Sequence, residues 1–195
     1  MDLAQKGVQL DYTEQFVREI CSLGRGDQAV LRRTVGRPIS EASARAHAIF
    51  FRSLLGRPRQ NEEEILFAVA GWICLWREIS PSSISFADSV RLLRSKGESE
   101  IKSFDKLMSH ILDLPLDGDG YLLDKIGRIM RRLSNDGLSL DFARLAKDLR
   151  YWNSDNQSVQ LRWAREYYGR KLTDVDVTLV DGDSPDENDE EGELQ

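Results

Sequence analysis

Between Tyr121 and Arg170 apolar residues recur at helical spacing three times in succession, while period-2 alternation is nearly absent from the chain. In the first of these segments Leu122, Leu123, Ile126, Ile129, Met130 and Leu133 fall within one arc of a helical wheel, and Lys125, Arg128, Arg131 and Arg132 fall on the opposite arc. Gly137 stops this helix and Asp141 is placed to cap the next. There Phe142, Leu145, Ala146, Leu149 and Trp152 form the apolar face, and Arg144, Lys147 and Tyr151 make a surface stripe at i, i+3 and i+7. After a turn at 153–156, a third helix turns Leu161, Trp163, Ala164, Tyr167 and Tyr168 inward and Arg162 and Arg165 outward. Residues 121–171 hold 11 Lys/Arg against 6 Asp/Glu, so this scaffold presents an excess of cations. Arginine forks onto phosphate and stacks on bases, which leans the reading toward nucleic acid.

The first half is built the same way. A helix from Thr13 to Leu23 buries Phe16, Val17 and Ile20; a short helix with Asp27 as its N-cap follows, crowded by Arg25, Arg32, Arg33 and Arg37. Ser40 is the expected cap of a helix running to Leu55. The helix over 62–79 is apolar nearly all round and is the expected centre of this half. Another spans 86–95 with Arg91 and Arg94 outward. The KGESE segment at 96–100 is the best domain boundary, and a helix from Glu100 to Asp113 follows it. All five prolines lie between these helices or in the tail. The expected fold is all-α: an N-terminal helical bundle over 1–96, a C-terminal one over 97–173, and an acidic disordered tail over 174–195.

The formal net charge of −6 conceals an asymmetry. Residues 174–195 carry 10 acids and no base, leaving 27 Lys/Arg against 23 Asp/Glu, a formal +4, on residues 1–173. No apolar run reaches the roughly 20 residues of a membrane span. Cys21 and Cys74 lack metal-ligand spacing and any secretory context, so they read as buried free thiols in a reducing cytoplasm. GRGD at 24–27 lacks the phosphate-loop pattern, and Arg128 stands where a calcium loop opening at Asp117 needs a glutamate. His47 and His110 each stand alone, and no Ser-His-Asp or Cys-His arrangement is present. The expectation is no enzyme, no metal and no cofactor.

Four motifs in this order, GRGDQAVLRR near the start, SFDKLM at 103–108, RIMRRLSNDGLSLDFARLAKDLRYW and VQLRWAREYYG, resemble the CasB family, the small subunit of the type I-E CRISPR Cascade surveillance complex. The similarity extends over most of residues 13–169 and leaves the tail outside. It implies a purely helical protein without catalytic activity that assembles head to tail along the inner belly of Cascade. Its implied partners are CasA, CasC, CasD and CasE, the guide RNA, and target DNA including the displaced strand of the R-loop. Carried over residue by residue, the resemblance points to Arg32, Arg33, Arg128, Arg131, Arg132, Arg144, Arg162 and Arg165 as nucleic-acid contacts, while Asp141, Trp152, Trp163 and Tyr167 match structural positions. Arg91, Arg94, Lys125 and Lys147 join the candidate set from the helical faces alone. Gln28 and Ser103 stand where relatives often carry a basic residue.

Two functions stay open at this point. One is sequence-independent nucleic-acid binding that stabilises the R-loop; the other is a structural adapter whose arginines serve protein contacts. The acidic tail either solubilises the chain or competes with nucleic acid for its arginines.

Overall fold

A segment apolar on every side needs neighbours all round it, and residues 60–73 have them. The computed structural model describes residues 11–54, 56, 58, 60–77, 82–95, 98–117 and 119–169. Among these are nine α-helices: α1 (Tyr12–Ser22), α2 (Arg25–Arg32), α3 (Ala44–Ser53), α4 (Gln60–Ile73), α5 (Phe86–Arg94), α6 (Glu98–Asp113), α7 (Tyr121–Asn135), α8 (Phe142–Arg150) and α9 (Ser158–Tyr168). A 3-10 turn at Ile39–Glu41 joins α2 to α3, and no strand occurs among the described residues. The chain is all-α.

Helix α4 packs against α1, α2, α7, α8 and the 3-10 turn, burying Ile65, Leu66, Phe67, Val69, Ala70, Trp72 and Ile73. Each large apolar side chain removed from water in this way contributes about 1.5–3 kcal/mol. Helix α5 packs on α6, α7 and α9, and α1 reaches α8. Elements on both sides of residue 96 therefore share one buried cluster running from Phe16 to Tyr167.

Two glycines set how closely α2, α4 and α7 approach. A Cβ on Gly71 of α4 would lie 3.1 Å from Thr34 Oγ1 and 3.2 Å from Val35 Cγ2; one on Gly127 of α7 would lie 3.1 Å from Trp72 Nε1 and 3.7 Å from Val35 Cγ1. Val35 thus wedges between two helices that lack side chains where it enters. This brings the turn after α2 against the middle of α7.

Several local signals act as the sequence suggests. Asp141 accepts from the Arg144 amide at 2.9 Å, and Gly137, at φ +68°, closes α7 with the Leu138 amide donating to the Leu133 carbonyl at 3.0 Å. Others differ. Asp27 is not the cap of α2: the Gly24 carbonyl accepts from Asp27 and Gln28 and starts the helix earlier, freeing the Asp27 carboxylate for ion pairing. Ser43, not Ser40, caps α3, because residues 39–41 are taken up by the 3-10 turn. Helix α4 ends at Ile73 rather than 79. The Leu75 and Trp76 amides bond three residues back, and Trp76 Nε1 donates to the Leu138 carbonyl at 3.1 Å. Residues 1–10, the opening of KGESE at 96–97 and the acidic tail over 174–195 lie outside the described residues.

Candidate nucleic-acid interface

Leu31 is fully buried, so the helical turn that seats it directs Arg32 and Arg33 to the surface. Gly36, at φ +83°, then turns the chain and returns Arg37 beside them. From α7, Arg131 donates to the Val35 carbonyl at 2.9 Å. These four arginines and Leu75 line one open cleft of roughly 530 Å³. No acid lines it, and Arg32, Arg33 and Arg37 have no ion pair among the described residues. The negative end of the α2 dipole favours cations here, which helps to hold like charges together. Arg33 and Arg37 also border a second depression with Glu41, Ser43 and Arg45, so the basic surface continues toward α3.

The other expected cations are placed differently. Arg128 is exposed and pairs with Asp124 at 2.8 Å; Arg132 lies over the Phe104 ring at 5.0 Å and Lys125 over the Tyr121 ring at 4.7 Å. Arg165 is exposed on α9. The stripe on α8 has the expected spacing, but Arg144 is bonded to Glu166, and Lys147 to Glu14 at 2.9 Å and Asp11 at 3.2 Å. Those carboxylates hold the Lys147 ammonium above its ordinary pKa, and its bond to Asp11 holds that carboxyl below its own.

The orientations of five residues are corrected. Arg91 does not face outward: α5 is enclosed by α6, α7 and α9, leaving Arg91 3% exposed with Asp88 at 3.5 Å. Arg94 is drawn to Asp105 on α6 at 2.9 Å and lies over the Tyr167 ring. On α9 the buried stripe is Val159, Trp163 and Tyr167 at i, i+4 and i+8, which turns Leu161 and Tyr168 outward to 51% and 45% exposure.

Arg162 packs inward on Asp148, which is buried and also accepts from Trp163 Nε1 at 2.7 Å. Burial raises the Asp148 carboxyl, and the Trp163 bond and the Arg162 charge partly counter this. Trp163 in turn stacks near Phe86 and Trp152, at centroid separations of 4.7 and 4.9 Å. This corner of the molecule is a structural joint. Arg37, absent from the sequence-derived candidates, completes the cleft; its only signal was its place among the arginines around α2.

A family model for the CRISPR-associated protein Cse2 matches residues 27–168, which is 142 of the 195 residues. The chain belongs to the Cse2 family. Two crystal structures from Thermus thermophilus, one of a Cse2-family protein and one of CasB, share its fold, each at TM-score 0.67, with 28% and 26% identity over 83% of this chain and 100% of each of those. A curated Cse2 protein of Thermus thermophilus is 63% identical over 30 residues, a stretch that is 15% of this chain and 18% of that relative. A chain in a structure described as a CRISPR RNA-guided surveillance complex has the same fold, at TM-score 0.66 and 20% identity over 81% of this chain and 92% of that one. The Cse2 match and the CasB-like motifs thus name one family. The matched region opens at Asp27 in α2 and closes at Tyr168 in α9, so the cleft lies within it.

Proposed function

We propose that this Cse2-family chain is the non-catalytic small subunit of a type I-E CRISPR surveillance complex, acting in the cytoplasm, and that it holds nucleic-acid backbone along the cleft of Arg32, Arg33, Arg37 and Arg131 without reading sequence. The observation that carries this is that, among the described residues, the charge of that cleft is uncompensated while the other arginines are largely engaged by carboxylates or rings. In guide-directed targeting, base pairing reads the sequence, so a subunit beside the R-loop needs only to neutralise phosphate and steady the displaced strand. Guanidinium forks on a rigid helical surface do this without an aromatic platform. A single subunit binds weakly, and head-to-tail repetition beside the large subunits, the guide RNA and the target DNA raises the effective affinity.

The second reading, a structural adapter, draws on the exposed apolar side chains Leu161, Tyr168 and Tyr151, which suit protein contacts. Arg32→Glu, Arg33→Glu and Arg37→Glu together, in a reconstituted complex, separate the two. Target-DNA retention lost with assembly intact supports backbone holding; assembly lost supports the adapter.

A further inference from the structure

The cleft also bears on the 10 carboxylates of residues 174–195. The body neutralises much of its own charge from within: Asp27 takes Arg45 and Arg52, Asp105 takes Arg94, Asp124 takes Arg128, Glu62 takes Arg150, Asp148 takes Arg162 and Glu166 takes Arg144. At the end of α2 this stops. Among the described residues, three arginines without an ion pair and a fourth bonded to a carbonyl line one space that no acid borders. Four guanidinium groups in one cleft repel one another, and the arrangement favours an anionic chain laid across it.

We infer that residues 181–193 of the same chain, which carry eight of those carboxylates, occupy this cleft when nucleic acid is absent and are displaced by it. The inference rests on the proposed nucleic-acid role of the cleft and adds an internal competitor to it. Reach is sufficient. A compact body of this size is about 40 Å across, so the longest path over its surface is about 60 Å. At about 3.3 Å per residue that path takes roughly 18 residues beyond Gly169, which still brings Glu187, within the acidic run, to the cleft. Tethering gives the run a local concentration in the millimolar range, enough for many weak contacts to hold it at low salt. A nucleic-acid strand, with one phosphate per nucleotide and a guide-paired target to anchor it, wins the site in an assembled complex. An oligonucleotide met at random by the free subunit does not. The device makes the isolated subunit a poor non-specific binder.

The test uses the full chain in three forms: unaltered, with the ten tail acids changed to Asn and Gln, and with R32E/R33E/R37E. Amide resonances of residues 181–193 are followed by NMR at about 50 and 300 mM salt, and binding to a labelled oligothymidylate is titrated in parallel. The expected result is that tail resonances of the unaltered chain at low salt differ from those of R32E/R33E/R37E and converge on them at high salt. Neutralising the tail then tightens oligothymidylate binding about tenfold at low salt and less than twofold at high salt. Tail resonances indifferent to the three charge reversals would overturn the inference and leave the tail a solubilising segment. So would an affinity unchanged by tail neutralisation while the arginines still carry DNA binding. If no form binds DNA yet the tail resonances still respond to the arginines, docking stands and the nucleic-acid reading fails.

Discussion

The Arg131 guanidinium donates to the Val35 carbonyl at 2.9 Å, joining positions 96 residues apart. The bond satisfies a carbonyl at the end of α2 and fixes one wall of the basic cleft to the other. Arg131→Ala removes a charge-assisted hydrogen bond worth about 1–2 kcal/mol. For a chain of this size that lowers Tm by roughly 2–8 °C in thermal denaturation. Arg131→Lys, keeping charge without the planar fork, should recover less than half of the loss.

Gly71 and Gly127 permit the approach that makes that bond possible, and a side chain at Gly71 would compete directly with Val35 and the Leu31 carbonyl. Gly71→Leu should cost about 1–3 kcal/mol by overpacking, read as a shifted midpoint in urea unfolding. The same variant should weaken oligonucleotide binding without touching a charge, because it parts α2 from α7.

The buried carboxyl of Asp148 has its pKa raised by burial, so the folded chain holds that proton more tightly than the unfolded one. Its contribution to stability is full below the unfolded carboxyl pKa and is lost as pH rises through the higher folded value. Asp148→Asn keeps an acceptor for Trp163 Nε1 and has no such titration. Relative to the unaltered chain, it should therefore gain ground as pH rises above about 4 in urea unfolding; a relative loss with rising pH would contradict this assignment.

Burial pushes the Cys74 thiol up to about 12 and the half-buried Cys21 thiol up as well. At pH 8 only about one Cys74 side chain in ten thousand is a thiolate, so a soluble disulfide reagent should label Cys21 first. Cys74 should react only on unfolding, as mass spectrometry of the digested protein would show.

Much of this architecture was legible because its signals are local. The apolar arc of α7 buries Leu122, Leu123, Ile126, Ile129, Met130 and Leu133 as the helical wheel requires, and Asp141 caps α8 from within four residues. The charges were harder to read. Arg91 and Arg162 look solvent-facing on a wheel, but the wheel cannot show that α5 is enclosed on several sides or that Asp148 receives Arg162 from another helix. Whether an arginine is spent is decided by acids such as Asp105 and Glu166, which folding brings from elsewhere in the chain. Arg37 had no periodic support, since it follows the turn at Gly36, and only the folded cleft unites it with Arg131.

The most direct measurement of the central claim is the slope of log affinity for oligothymidylate against log salt, for the chain with its ten tail acids changed to Asn and Gln and for the same chain carrying R32Q/R33Q/R37Q. Each single-strand phosphate left unneutralised removes about 0.7 from the slope, so three of them predict a slope shallower by about 2, with weaker binding at low salt. An unchanged slope would contradict the assignment of the backbone contacts to the cleft between α2 and α7.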